Sequence, residues 1–127
     1  MKAIADTHVL IWWLNGDARL STVAKRFIAN SSNQILVSAA TAWELSIKNR
    51  SGKLQVQPLM DRFDEVMTEQ GFDVLSITVN HAVRAGALPV HHSDPFDRML
   101  IAQAQAEHLS VITADAEFDK YGIRRIW

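Results

Sequence analysis

The sequence contains no cysteine, which excludes disulfide bonds and thiolate metal sites and fits a reducing compartment. No segment reaches the ~18 consecutive apolar residues of a membrane-spanning helix. Asp6 interrupts the apolar stretch near the N-terminus early, so this stretch does not match a secretory signal peptide and we interpret it as folded structure. We therefore expect a cytoplasmic protein that does not enter the membrane.

A surplus of basic residues is also missing. The 127 residues include 13 Lys and Arg against 14 Asp and Glu, which leaves a net charge of −1. Nucleic-acid binders that rely on backbone electrostatics usually carry a basic surplus. A nucleic-acid function would therefore need bound cations or a local basic patch. The length predicts one domain, residues 1–127, with enough chain to bury a core.

Short apolar runs alternate with longer helical periodicities along the chain. This pattern predicts an α/β fold in which a parallel β-sheet is flanked by helices. Strands are predicted at residues 2–5, 34–38, 72–77 and 109–112, with a candidate fifth strand at 124–127. Helices are predicted at residues 9–14, 21–28 with Ser21 as the N-cap, 40–50, 58–71, 78–87 and 94–107.

Four acidic residues occupy related positions in this predicted fold. Asp6 follows the first strand, and Asp115 follows the fourth. Glu44 lies about one turn into the helix after the second strand, and Asp97 lies in the first turn of the helix before the fourth. Strand carboxyl ends and crossover-helix amino ends share one edge of a parallel sheet, where ligands of open α/β sheets bind. We therefore expect the four acids to form one site.

Four clustered carboxylates repel one another, so the cluster needs protons or cations to be stable. Ligand sets made only of oxygen suit Mg²⁺ or Mn²⁺. A bound metal of this kind supports displacement at phosphorus, and it also brings a phosphate substrate to a protein without a basic surplus. The basic residues nearest in sequence are candidates for substrate phosphate contacts. These are Lys48, Arg50, Lys53 and Arg98.

Each of these residues also has a purely structural interpretation. Asp6, Asp94 and Asp115 are placed to cap helices, and Asp97 is placed to interact with a helix dipole. The basic residues fit a solvated helix face, and Lys48, four residues after Glu44, fits an ordinary helix-surface ion pair with it. A cap residue can hold a metal as well, so these interpretations stay open beside the functional one.

The histidines and tryptophans are weaker signals. His91 and His92 share a predicted loop, where histidines are mostly solvated, although a His/Asp metal site is conceivable. The four tryptophans are expected mainly in the core. Trp12 and Trp13 are adjacent in one helix and cannot both face one core, so one of them is a candidate interface residue.

The sequence resembles the PIN-domain family, in the branch of VapC-type toxins from bacterial toxin–antitoxin pairs. Four stretches carry the resemblance in order, each with an acid at the matching place: IADTHVLIWWL at 4–14, VSAATAWELSIKNRSGKL at 37–54, DPFDRMLIAQAQAE at 94–107 and VITADAEFDKYG at 111–122. The resemblance implies a parallel sheet flanked by helices. It also implies Mg²⁺- or Mn²⁺-dependent endonucleolytic cleavage of cellular RNA by a toxin that inhibits translation and growth.

The same resemblance implies roles for individual residues. The family's metal-site positions are matched by Asp6, Glu44, Asp97 and Asp115. Asp94 matches an additional acid common in this branch, and Thr113 matches a hydroxyl position beside the site. Thr7 stands where a Ser or Thr often follows the first acid. The resemblance further implies a homodimer and a separate antitoxin that occupies and blocks the active-site groove.

Other classes of function remain as alternatives. A catalytically idle RNA- or protein-binding module on the same fold would bind metal without cleaving RNA. A receiver-like phospho-acceptor domain would need an acid pair and a Lys after a late strand, whereas Asp6 stands alone and Asp115 follows the fourth strand. A DxDxT-type phosphohydrolase is disfavoured because Asp6-Thr7-His8 lacks the second Asp.

Overall fold

The computed structural model describes all residues, Met1–Trp127. Its strands are β1 (Lys2–Ala5), β2 (Gln34–Ser38), β3 (Asp73–Leu75), β4 (Ser110–Ile112) and β5 (Arg125–Ile126). They form one sheet in the order β3-β2-β1-β4-β5, and every neighbouring pair is parallel. The predicted parallel sheet is therefore confirmed, including its fifth strand.

Helices connect and cover the strands. They are α1 (Thr7–Asn15), α2 (Thr22–Ala29), α3 (Ala39–Arg50), α4 (Gln57–Asp61), α5 (Phe63–Gln70), α6 (Val79–Ala87) and α7 (Pro95–Glu107), with a 3₁₀ helix at Ala116–Tyr121. Ser21 caps α2 by accepting a hydrogen bond from the Ala24 N–H, as predicted. None of the helices combines the length and the apolar content that a membrane crossing requires.

Two predicted elements differ from the structure. The helix expected at 58–71 is divided into α4 and α5, because Arg62 adopts φ −134° and ψ 30° and leaves the helical path. The strand expected at 72–77 is shorter, and its last residue, Leu75, pairs with Ser38, where β2 ends. Beyond that point the edge strand has no partner in the sheet.

Both faces of the sheet are covered, which explains why its strands are apolar runs without alternation. On β1, Ala3 and Ala5 pack in one core cluster with α1 residues such as Leu10. Ile4 points to the other face and packs with α7 residues such as Leu100. The molecule is therefore a three-layer α/β/α sandwich.

The strand order creates a crevice beside the central strand. From β1 the chain builds β2 and β3 on one side, and it then places β4 and β5 on the other. Loops leaving β1 and β4 diverge at such a switch point, and ligands bind in the crevice between them. The Asp6 N–H donates to the Ile112 carbonyl at 3.1 Å, which extends the β1–β4 ladder to the edge of the crevice.

Candidate active site

Three of the four expected acids meet at this crevice. Asp6, Asp97 and Asp115 line one cavity of about 240 Å³. Two of them are also helix caps: Asp6 Oδ1 accepts from the Val9 N–H at 2.8 Å, and Asp115 Oδ1 accepts from the Glu117 N–H at 3.0 Å. Capping uses Oδ1 of each carboxylate, so the structural and functional interpretations are compatible.

Asp97 is presented by a well-capped helix start. Asp94 Oδ1 accepts from the backbone N–H groups of Phe96 at 2.8 Å and Asp97 at 3.2 Å. Pro95 occupies the first helical position, where its missing N–H costs no hydrogen bond. Asp94 therefore fixes the direction of the first turn of α7, and with it the carboxylate of Asp97.

Glu44 lies close enough to Asp6 and Asp97 for its charge to act on both, and it is hydrogen-bonded to Thr7. Its Oε1 accepts from the Thr7 hydroxyl at 2.7 Å, and its Oε2 accepts from Lys48 Nζ at 2.5 Å. The i, i+4 ion pair expected from the sequence is therefore present, but Glu44 is only 5% exposed and faces the site. Thr7 follows Asp6 directly in the chain, so this hydrogen bond holds Glu44 next to the start of α1.

Burial makes the charge on Asp6 costly. Desolvation raises the pKa of Asp6, and the nearby charge of Glu44 adds to the increase. A side-chain hydrogen bond with Thr113, the Val9 N–H and the charge of His8 act in the opposite direction and offset only part of it. Thr113 is fully buried, and its hydroxyl also accepts from the Asp115 N–H at 3.0 Å.

Asp97 shows the same imbalance between burial and compensating contacts. Burial, followed by the charge of Asp94, raises the pKa of Asp97 to about 7. His92 lowers it, while Asp6 and Glu44 raise it further. The cluster therefore carries more negative charge than its surroundings compensate near neutral pH.

His92 belongs to the site although the sequence suggested a solvated loop. Its Nε2 lies 3.0 Å from Asp97 Oδ2 and 3.0 Å from Asp115 Oδ2. The Asp94 N–H donates to His92 Nδ1 at 3.4 Å, which favours the tautomer that carries its proton on Nε2, and this N–H donates to Asp115 Oδ2. The only sequence signal for this role was the position of His92 two residues before Asp94.

Long-range hydrogen bonds hold the loop that carries His92. The Tyr121 hydroxyl accepts from the His91 and His92 N–H groups at 3.1 and 2.8 Å, and it donates to the Pro89 carbonyl at 2.9 Å. The Arg98 guanidinium donates to the carbonyls of Ala85, Leu88, Pro89 and His92. Arg98, expected as a phosphate contact, is therefore engaged by the protein's own backbone.

The other expected phosphate contacts differ in their surroundings. Lys48 and Lys53 line a second concavity next to the acidic cavity, and Lys48 is also paired with Glu44. Arg50 is exposed in the last turn of α3 and makes no ion pair. Of the expected phosphate contacts, Lys48 and Lys53 are thus the two that line a concavity beside the site.

The donor set fits a divalent cation. One carboxylate oxygen each from Asp97 and Asp115 lies within 4.8 Å of the other and of His92 Nε2, and because Nε2 carries the ring proton, the ligands that this group offers are the carboxylate oxygens. Asp6 lines the same cavity, and its carboxylate is costly to ionise without a counter-charge. Carboxylate oxygens at this density are the ligands that Mg²⁺ and Mn²⁺ prefer.

The tryptophans were expected mainly in the core, and several of them are only partly buried or exposed. Trp12 and Trp13 are half-buried on α1, and Trp13 Nε1 donates to Gln70 Oε1 at 2.9 Å. Trp43 is 62% exposed on α3 and packs edge-on against Phe96, with ring centroids 5.2 Å apart. Residue type alone predicted a buried position that Trp43 does not have.

Comparison with known proteins adds a family match. Residues 3–124 match the family model described as "PIN domain". No curated protein matches the sequence.

Solved structures with the same fold come from toxin–antitoxin complexes. A chain of a toxin–antitoxin complex from Klebsiella pneumoniae is 23% identical with a TM-score of 0.64, over 89% of this chain and 86% of that one. A chain of VapBC-1 from nontypeable Haemophilus influenzae is 19% identical with a TM-score of 0.67, over 98% and 96%. A chain of VapBC2 from Rickettsia felis is 13% identical with a TM-score of 0.68, over the full length of both chains. At these identities the likeness establishes a shared fold.

Proposed function

Because the chain belongs to the PIN domain family, whose model matches residues 3–124, we propose that it is a metal-dependent endoribonuclease. The observation that carries the proposal is the convergence of Asp6, Asp97 and Asp115 on one cavity at the switch point of the sheet. The likeness to chains of toxin–antitoxin complexes supports the further proposal that it is a toxin, which cleaves cellular RNA and inhibits translation and growth.

In this proposal Asp6, Asp97 and Asp115 hold the cation, and Glu44 completes the acidic set. A bound Mg²⁺ or Mn²⁺ supplies Lewis-acid polarisation of a phosphate oxygen and eases deprotonation of water. Water then attacks phosphorus, one P–O bond of the phosphodiester breaks, and the leaving oxygen takes up a proton. The protein chain contributes by fixing the carboxylates before substrate arrives, which avoids reorganisation during the reaction.

Neighbouring groups keep these carboxylates in place. His92 Nε2–H donates to Asp115 Oδ2 and lies 3.0 Å from Asp97 Oδ2, so His92 lies between these two side chains. Thr7 orients Glu44. Thr113 lies beside Asp6 and lowers the pKa of its carboxyl, and Asp94 sets the first turn of α7. We propose that these residues act as positioning residues for the acidic set.

RNA cleavage by the purified protein is expected to depend on a divalent cation. Labelled total RNA is incubated with the protein in EDTA, and Mg²⁺ or Mn²⁺ is then added in excess. We expect fragments only after metal is restored, because the carboxylates alone repel a phosphodiester. Cleavage that continues in EDTA would contradict the proposal, and metal binding without any cleavage would favour the idle binding module.

A homodimer is proposed as the assembly. Trp43, 62% exposed, and Ile77, 37% exposed, border an almost wholly apolar cavity of about 250 Å³. Burying such a surface against a second copy stabilises a dimer. Light scattering is expected to give twice the chain mass for the wild type and a single chain mass for Trp43→Glu. A dimer that survives the substitution unchanged would exclude this surface.

The proposed location of the protein is the cytoplasm, where its RNA substrate is found. Residues 1–127 are proposed to act as one nuclease domain.

A separate antitoxin is proposed as the partner that blocks the acidic cavity. A partner bound in this cavity competes with RNA, so adding it should raise the KM for RNA while kcat stays constant. A fall in kcat at constant KM would indicate binding elsewhere.

A further inference from the structure

The loop between α6 and α7, residues 88–94, is held by two side chains that lie outside it. The first is Tyr121. Its hydroxyl accepts from the N–H groups of His91 at 3.1 Å and His92 at 2.8 Å, and it donates to the Pro89 carbonyl at 2.9 Å. A hydroxyl offers one proton and two lone pairs. The loop therefore uses the whole hydrogen-bonding capacity of this hydroxyl.

Arg98 is the second of these side chains, and its guanidinium is also fully engaged. Nη1 donates to the carbonyls of Pro89 and His92, both at 3.1 Å. Nη2 donates to the carbonyls of Ala85 at 2.9 Å and Leu88 at 2.8 Å, at the C-terminus of α6, where a cation is favourable. Four carbonyls thus take the four N–H groups of the two terminal nitrogens. Arg98 therefore binds the end of α6 and the loop together.

Both side chains belong to elements that also carry acids of the site. Arg98 directly follows Asp97 on α7. Tyr121 ends the 3₁₀ helix that Asp115 caps at its start. The imidazole of His92 contacts the same two acids, with Nε2 3.0 Å from Oδ2 of each. The backbone of His92 and its ring are therefore fixed to the same pair of elements.

Two further contacts strengthen this arrangement. Phe118, fully buried in the 3₁₀ helix, packs edge-on against the His92 ring, with centroids 6.0 Å apart and planes at 90°. Gln105 on α7 donates from Nε2 to the Tyr121 carbonyl at 3.2 Å, which ties the end of the 3₁₀ helix to α7. The ring of His92 is thus held by Phe118 as well as by its polar partners.

We propose that Tyr121 and Arg98 are positioning residues that act on the site through His92. By fixing the backbone of His92, they hold its ring between Asp97 and Asp115 and so keep these two carboxylates in place for the cation. The inference rests on the proposed function, because that proposal assigns the cation to these acids. It gives Arg98 a role in the assembly of the site instead of the phosphate contact expected from sequence.

Binding of Mn²⁺ to Tyr121→Phe, with and without His92→Ala, tests the proposal. The full chain is titrated with Mn²⁺, and free Mn²⁺ is measured by electron paramagnetic resonance. Phe keeps the ring that packs edge-on against His91, so only the hydroxyl is lost. We expect Tyr121→Phe to weaken Mn²⁺ binding by about 10-fold, the lower end of the effect of partners that orient metal ligands. In the His92→Ala background it should change the affinity by less than about 2-fold, because no ring is left to position.

Arg98→Lys separates positioning from a phosphate contact. Lys keeps the positive charge, but a single ammonium group cannot reach four carbonyls. We expect weaker Mn²⁺ binding, again by about 10-fold, and an unchanged KM for RNA at saturating Mn²⁺. A phosphate contact would instead alter the KM for RNA and leave Mn²⁺ affinity unchanged. The matched control is Arg26→Lys, exposed in the last turn of α2 on the opposite face of the sheet from α7, which should change neither quantity.

Two results would overturn the proposal. Equal weakening of Mn²⁺ binding by Tyr121→Phe in both backgrounds would show that the hydroxyl does not act through His92. Unchanged Mn²⁺ affinity in Tyr121→Phe and Arg98→Lys would show that the site does not depend on the held loop. If Tyr121→Phe does not fold, Arg98→Lys is measured in the same two backgrounds and decides the question.

The outcome for the nuclease proposal is separate. If the wild type binds Mn²⁺ but does not cleave RNA, the nuclease proposal fails, and the Mn²⁺ affinities still decide whether Tyr121 and Arg98 position the site. If the wild type binds no Mn²⁺, both proposals fail together.

Discussion

Asp97→Asn is expected to lower the rate of RNA cleavage by at least about 100-fold. Loss of a residue that only hydrogen-bonds a metal ligand typically costs about 10- to 100-fold in activity, and loss of the ligand itself should cost more. Asn has nearly the same shape as Asp but no charge, so the variant removes one of the carboxylates that line the cavity. The measurement is the initial rate on a labelled RNA with saturating Mg²⁺. The matched control is Asp64→Asn, because Asp64 is exposed in the first turn of α5, outside the cavity.

Stability measurements separate this loss from misfolding. Burial and the charge of Asp94 make an ionised Asp97 unfavourable without metal, so the neutral Asn should not destabilise the metal-free fold near neutral pH. The variant should therefore unfold at the same urea concentration as the wild type or a higher one. A folded Asp97→Asn protein that cleaves RNA at the wild-type rate would remove Asp97 from the proposed site.

The positions of three acids could be predicted from sequence because they depend on topology. Asp6 and Asp115 follow apolar strands, and Asp97 follows the Asp94-Pro95 helix start, so the rules for parallel sheets bring them to one edge. Glu44 was placed at the same edge, but its hydrogen bond with Thr7 depends on how α3 packs against α1. Helix packing of that kind is not encoded in local sequence.

The role of His92 could not be predicted for a related reason. Its place between Asp97 and Asp115 depends on a loop held by Tyr121, which is 29 residues away in sequence, and by Arg98. These contacts form only after the layers have packed, so local pattern indicated a solvated histidine. The same long-range contacts explain why Arg98, which looked like a free cation in sequence, is engaged by backbone carbonyls.

Binding of Mg²⁺ is expected to stabilise the protein more at pH 8 than at pH 5, and the reason lies in Asp97. Its pKa is about 7 in the folded, metal-free protein, well above the ordinary value of 3.8 for an Asp side chain. Between these values the folded state holds more protons than the unfolded state, so the contribution of Asp97 to stability is present below about pH 4 and is lost as pH rises through 7. The full shift corresponds to a few kcal/mol, about 2–4, in the free energy of unfolding.

Metal should reverse this loss, because a divalent cation binds the folded, ionised cluster and not the unfolded chain. Saturation at 100-fold above Kd adds about 3 kcal/mol, or roughly 10 °C in Tm for a chain of this size. Thermal unfolding is measured from pH 5 to 8, with EDTA or with Mg²⁺, and the Tm of Asp97→Asn is subtracted from the Tm of the wild type. That difference should fall with rising pH in EDTA and recover in Mg²⁺, and Asp64→Asn should follow the wild type throughout. A difference in Tm that is independent of both pH and Mg²⁺ would mean that ionised Asp97 does not destabilise the metal-free fold and does not bind the metal.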